Sequence, residues 1–386
     1  MLFVINAGSS SVKFSVYEAG SLELIESGQA SVRDGQIHLQ AKACDGVQID
    51  RSEVIAETEH DRVMVLLHAV HDLLSNQFPK PQCIVHRVVH GGESFADPVI
   101  VTEAIRNELE TLVDLAPLHQ PVNLAGIDVF GEAYPGVMQV ACFDTAFHVG
   151  QSVLETSYAL PQSVRDLGVR KYGFHGLSYS YITEQLPAHG VQSPYKAIIC
   201  HLGNGASICA VDSGRSVAST MGFTAVEGLP MGTRSGRIDP GVVLHLLDHC
   251  GWTLDEVEHL LYHDSGLKGL SGQSSDVRTL EEAKTDASEF ALDYFAYRIN
   301  SEIGQLNAVL GGVDTIVFTG GIGEHSVRMR REVCGLLARW LPVSLSTERN
   351  AANETLIHDD ESMIRVLRIE TDENGYMARA ASRLIG

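Results

Sequence analysis

The stretch Leu2-Phe3-Val4-Ile5-Asn6-Ala7-Gly8-Ser9-Ser10-Ser11-Val12-Lys13-Phe14-Ser15-Val16-Tyr17 reads as strand, polar turn, strand. A short apolar run comes first, then a tip of small and hydroxylated residues, then strict apolar/polar alternation. The tip carries hydroxyls and backbone N–H groups, with the Lys13 ammonium on the return strand, a set that suits phosphate oxygens. The plain alternative is an ordinary polar hairpin. Half a chain later the pattern returns. Residues 197–211 form an apolar strand, the turn Gly203-Asn204-Gly205-Ala206-Ser207, and a second apolar strand. Two such hairpins point to two related halves, each offering a phosphate-binding tip. No Pro/Gly/Ser linker separates them, so spacing alone puts the boundary near residue 148.

Between and beyond the hairpins the period changes. Val63, Leu66, Leu67, Val70, Leu73 and Leu74 recur at helical spacing over 58–77, with Thr58 and Asp61 as a start signal. Residues 290–310 read as a long helix that stops at Gly311-Gly312, followed by the apolar strand Thr315–Thr319 and another glycine turn. Helices alternating with short apolar strands indicate an α/β fold. A chain of 386 residues exceeds what one core organises, so two domains are expected.

Twenty-eight basic against 49 acidic residues give a net charge of −21, which argues against nucleic acid or an anionic membrane surface as partner. No apolar run approaches the ~18 residues of a membrane span. The chain starts directly as a strand, without the basic segment of a cleaved signal. Seven scattered cysteines with no CxxC pair read as reduced thiols. The expectation is a cytoplasmic protein with no membrane partner. An anionic substrate would then need a cationic pocket inside a repelling field.

GxxxxGK[ST] is absent, and 321–326 fails GxGxxG at its last position, so the chain reads as neither a P-loop nor a Rossmann protein. Arg87 sits beside a pair of valines at the end of an apolar strand. An arginine there is costly unless it is paired with a carboxylate or faces a ligand, and both readings stand. His119, between Pro117 and Pro121, occupies a rigid, non-helical setting. Asp144 follows the apolar run 137–142, and the carboxyl end of a strand is where α/β sheets place metal or phosphate chemistry, a helix cap being the alternative. Arg170, Lys171 and His175 crowd around glycines, a local cationic excess that suits an anion. Arg234 lies in a glycine-flanked loop read as exposed. The glycines of 320–323 let backbone approach a flat ligand such as adenine.

Taken in order, INAGSSSVKFSVY (5–17), HRVVHGGE (86–93), APLH (116–119), FDTAFH (143–148), YGFHG (172–176), HLGNGAS (201–207), MGTRSG (231–236), SGQSSDVR (271–278), FTGGIGE (318–324) and TDE (371–373) resemble the acetate kinase family across nearly the whole chain. The resemblance implies two duplicated ribonuclease H-like domains of the sugar kinase, Hsp70 and actin type around a central cleft. It implies an acyl-substrate domain over 1–148, with 371–386 packed back on it, and a nucleotide domain over 149–370. It also implies a homodimer.

By motif match, Asn6 and Glu373 take the family's magnesium positions, with Mn²⁺ as a substitute. Lys13, Ser9 and Ser11 take ATP-contacting positions. So do His201, Leu202, Gly203, Asn204 and Gly205; Asp276, Val277 and Arg278; and Gly321, Ile322, Gly323, Glu324 and His325. Arg87 and Arg234 hold the carboxylate and the transferring phosphoryl group, and Asp144, His119 and His175 fall on active-site positions. Val89, Leu118, Phe174 and Ala225 line the acyl pocket. Ala225 stands where the family has a proline, Tyr179 where it has a histidine, His325 and Gln120 where it has asparagines, and Arg237 where it often has an aspartate.

The implied reaction is reversible phosphoryl transfer between ATP and acetate, giving acetyl phosphate and ADP. A carboxylate with a pKa of ~4 is already ionised at pH 7, so the nucleophile needs no base and the difficulty is to bring two anions together. Loss of the proline ring at 225 keeps propionate or another short-chain acid in reach. Rival readings are a sugar or polyol kinase, with Asp144 as general base, and a non-catalytic ATP-binding module.

Overall fold

The computed structural model describes residues 1–8, 11–33, 36–44, 46–54 and 59–386. Ser9 and Thr58 lie outside the described residues, as does the side chain of Asp61. The chain divides into two compact units, 1–149 with 372–386, and 150–371.

The first unit is built on the opening hairpin. Strand β1 (Leu2–Ala7) pairs antiparallel with β2 (Ser11–Tyr17), and β3 (Leu24–Arg33), β4 (Gln36–Ala43) and β5 (Gln48–Val54) extend the meander. On the other side of β1 lies β6 (Cys83–Val88), parallel to it, then β8 (Met138–Phe143), also parallel, and the short antiparallel edge β7 (Val99–Ile100). The order is β5-β4-β3-β2-β1-β6-β8-β7. Helix Glu59–Gln77 lays Leu66, Leu67, Val70, Leu73 and Leu74 against Phe3, Ile5, Phe14 and Leu39, as the heptad-like spacing of its leucines requires.

The second unit repeats the plan. Its sheet runs β11-β10-β9-β12-β13, with β9 (Lys196–Leu202), β10 (Ala206–Asp212) and β11 (Arg215–Ser219) antiparallel and β12 (Thr315–Thr319) and β13 (Arg365–Arg368) parallel to β9. Five strands of the first sheet, β3-β2-β1-β6-β8, and the five of the second run in the same order, 3-2-1-4-5, with the same directions, the ribonuclease H-like arrangement of the sugar kinase, Hsp70 and actin fold. The long helix Asp286–Leu310 ends at Gly311, whose φ of +69° gives the left-handed cap that glycine adopts without a Cβ clash.

One local expectation changes. The segment after β12 is not a turn but the first residues of helix Gly320–His325. Gly320 has φ +75°, and a Cβ there would lie 2.8 Å from the Leu202 carbonyl oxygen, so the glycine serves the packing of two chain segments. His119 keeps a non-helical backbone as the N-cap of helix Gln120–Ala133, where Pro121 falls in the first turn and its missing N–H costs nothing. Among the described residues no helix is long and apolar enough to cross a membrane.

Candidate active site

In the first unit, β1, β6 and β8 are parallel neighbours, so their carboxyl ends lie along one edge. Arg87 is the penultimate residue of β6, Asn6 that of β1, and Asp144 follows β8 directly. Asp144 is no helix cap: Arg87 donates to it from Nε at 3.1 and 3.2 Å and from Nη2 at 2.5 Å, and donates to Asn6 Oδ1 from Nη1 at 3.2 Å. Burial disfavours the Arg87 charge, yet the adjacent Asp144 outweighs it and holds the guanidinium above its usual pKa. Among the described residues these bonds use three of the five guanidinium N–H groups and leave one on each terminal nitrogen for an anion.

Glu373 opens the terminal helix Glu373–Ile385. Burial raises its pKa and Asp144 adds to the rise, while Arg87 and Lys13 oppose it. Asn6 Oδ1, which has a second lone pair, and the Glu373 carboxylate are hard oxygen donors, and a magnesium ion that keeps waters and takes substrate phosphates needs few more from protein. Asn123 Nδ2 donates to the Ala7 carbonyl and its Oδ1 accepts from Val89 N, both at 2.8 Å, which ties the ends of β1 and β6 to one helix. Val89 is buried and Leu118 is 36% exposed, both in this unit. Ser11 closes the hairpin tip, its carbonyl accepting from Gly8 N at 2.8 Å.

In the second unit a cavity of 390 Å³ brings together Gly203, Asn204, Asp276, Val277, Arg278, Gly321, Ile322 and His325 from three separate motifs. Glu281 and Ser326 also line it and were missed; both follow a matched motif by a few residues, Ser326 as the cap of the next helix. Asp276 caps helix Val277–Ala283 by accepting from Thr279 N at 2.8 Å, a bond that holds its carboxyl below the ordinary range. A Cβ on Gly321 would meet only open space. His201, Leu202, Gly205, Gly323 and Glu324 do not line this cavity. Glu324 instead turns inward, its Oε1 accepting from Gly320 N at 2.8 Å and Thr371 N at 2.9 Å.

Arg234 is half-buried rather than exposed, because its loop is stitched to the 203–205 turn: Gly232 N donates to the Asn204 carbonyl at 2.9 Å. Its Nη1 donates to the Ala225 carbonyl at 3.2 Å. His175, at φ +59°, caps helix Gly176–Gln185 and stacks on His201 with ring centroids 4.3 Å apart. Phe174 beside it is buried.

The acetokinase family model matches residues 1–379. An acetate kinase of Methylocella silvestris is 44% identical over 100% of this chain and 98% of its own. Among solved structures, an acetate kinase of Porphyromonas gingivalis superposes with TM-score 0.88 at 33% identity, covering 100% of this chain and 99% of that one. A propionate kinase of Francisella tularensis superposes with TM-score 0.89 at 31% identity, covering 98% of each. A family match over this length, on a duplicated fold whose strand ends carry Arg87, Asp144 and Asn6, places the chain in the acetokinase family.

Proposed function

We propose that this protein is an acetate kinase, reversibly transferring the γ-phosphoryl group of ATP to acetate. The observation that carries the reading is Arg87, a half-buried cation with two N–H groups left for an anion. A carboxylate oxygen attacks the γ-phosphorus, the bond to ADP breaks, and acyl phosphate and ADP leave with no proton transferred. Asp144, already receiving three bonds from Arg87, is poorly placed to deprotonate a hydroxyl, which counts against a sugar or polyol kinase.

In the first unit, Arg87 holds the carboxylate and phosphoryl oxygens, Asp144 fixes it, and Val89 and Leu118 face the acyl chain. Asn6 and Glu373 would hold Mg²⁺, or Mn²⁺ in its place. The ion, when bound, neutralises phosphate charge. In the second unit, the 390 Å³ cavity receives the nucleotide, while Arg234 and His175 donate to the transferring group and Phe174 and Ala225 face the acyl chain. His119, at the N-cap of helix Gln120–Ala133, is proposed as an active-site residue, and Lys13 acts on the phosphates. A propionate kinase is the second reading, favoured by Ala225 and by the likeness to the Francisella enzyme.

A homodimer is part of the proposal. Phe290, Tyr294 and Tyr297 stand exposed at i, i+4 and i+7 on one face of the long helix, a spacing that suits a partner copy. Light scattering in solution checks it, and a monomer at working concentrations would remove it. The activity is tested by trapping acyl phosphate with hydroxylamine in the presence of ATP, Mg²⁺ and acetate, propionate or butyrate. Acetate should give the largest kcat/KM, and no hydroxamate from any of the acids would overturn the reading.

A further inference from the structure

Helix Gly176–Gln185 turns three side chains to one face: His175 at its N-cap, Ser178 and Tyr179, spaced i, i+3 and i+4. That face packs over β9 and β10, where His201 and Ser207 are cross-strand partners. Two hydrogen-bonded chains result. Thr371 Oγ1, Ser178 Oγ and His201 Nδ1 form one, with steps of 2.9 and 2.8 Å. The other runs from the Tyr179 hydroxyl to Ser207 Oγ at 2.5 Å and on to His175 Nδ1 at 2.8 Å. Tyr179 and Ser207 are fully buried.

The direction of the second chain follows from donor strength. A phenol is a far stronger donor than an aliphatic hydroxyl, and burial raises the Tyr179 pKa well above its ordinary value, so its proton stays on. Tyr179 therefore donates to Ser207, and Ser207 donates to His175 Nδ1. An imidazole that accepts at Nδ1 carries its proton on Nε2. That edge faces Gly205: a Cβ built there would lie 3.4 Å from His175 Nε2 and 3.9 Å from Arg234 Nη1. Two donors thus flank one glycine of the 203–205 turn.

We propose that Tyr179 is a positioning residue that acts through Ser207 to hold His175 in the Nε2–H tautomer, aimed beside Arg234 at the transferring phosphoryl oxygens. The inference rests on the kinase reading for its ligand, but the tautomer does not. The ring's left-handed backbone and its stacking on His201 make this alignment more than a matter of local packing, since a non-glycine residue held at φ +59° is strained.

Nitrogen-15 spectra of histidine-labelled protein, with His175 assigned by comparison with His175→Gln, read the tautomer directly. Wild type should show a protonated Nε2 and an unprotonated Nδ1, and a proton on Nδ1 would overturn the proposal. In Tyr179→Phe the Nε2–H population should fall, and kcat should drop about tenfold while both KM values stay within about twofold. Unchanged kcat with an unchanged spectrum would also overturn it. Ser207→Ala cuts the same chain at its middle atom and should reproduce both effects, which covers the case in which the phenylalanine variant does not fold. The spectra need no turnover, so a failure of the kinase reading would leave the tautomer result standing.

Discussion

The Asp144 carboxylate receives the Arg87 guanidinium along one edge, with Nη2 at 2.5 Å from Oδ2 and Nε between both oxygens. The aspartate side chain is 3% exposed and the arginine 21%, so the carboxylate has almost no water to fall back on and the guanidinium only a little. Removing one partner of such a pair leaves a buried, uncompensated charge. Asp144→Ala should cost about 3–5 kcal/mol of stability, whereas Arg87→Ala should lower kcat at least about 100-fold by losing an anion donor. Chemical denaturation of the first and saturating kinetics of the second check this, and near-normal turnover in Arg87→Ala would take that residue out of the site.

Arg234 anchors the Ala225 carbonyl, so residue 225 is fixed in place while its side chain is small. Ala225→Pro adds ring atoms where the acyl chain is proposed to sit. One methylene is worth roughly 1–3 kcal/mol of discrimination, so the propionate-to-acetate ratio of kcat/KM should fall about tenfold. An unchanged ratio would show that residue 225 does not border the acyl group.

The hairpins, the long helix and the α/β class were legible because each rests on local pattern: period-2 alternation, leucine spacing and glycine stops. The pairing of Arg87 with Asp144 was not, since 57 residues separate them and only the parallel register of β6 on β8 brings them together. The sequence left Arg87 open between a carboxylate and a ligand; the structure shows the carboxylate partner, and the ligand role belongs to the proposed function. One helix start, at Gly320, was misread as a glycine turn. Pro121 and Gly320 look like breakers in isolation, but each sits in a first turn whose N–H groups need no helical partner. Glu324 matched a nucleotide motif, and only the fold shows its carboxylate turned inward.

His86 offers a pH test. It is buried and donates from Nε2 to Gln139 Oε1 at 2.6 Å, and burial pushes its pKa down to about 4 from an ordinary value near 6.5. The folded state therefore resists protonation that the unfolded chain accepts. Stability is full above about pH 6.5 and is lost progressively as pH falls towards 4, by on the order of 3 kcal/mol from this residue. Melting temperature should drop between pH 7 and 5 in wild type, and less steeply in His86→Gln. Parallel curves for the two proteins would show that other groups carry the acid sensitivity.

Glu324 closes the N-terminal end of the helix that borders the nucleotide cavity. Gly320 N, which is buried, and Thr371 N, which is half-buried, both donate to its Oε1. At the other end, the buried Arg330 donates from Nη1 to the Gly323 and Glu324 carbonyls at 2.9 and 2.8 Å. The short helix is thus held at both ends by side chains rather than by its own length. Glu324→Ala would strand two backbone donors, costing about 1–3 kcal/mol for each buried group left unpaired. Because Gly321 and Ile322 line the cavity, loosening the helix should raise KM for ATP several-fold while leaving KM for acetate unchanged. Glu324→Gln keeps an acceptor oxygen and should restore most of both stability and nucleotide affinity. If the alanine variant melts normally, or if the two KM values move together, Glu324 is not the latch described.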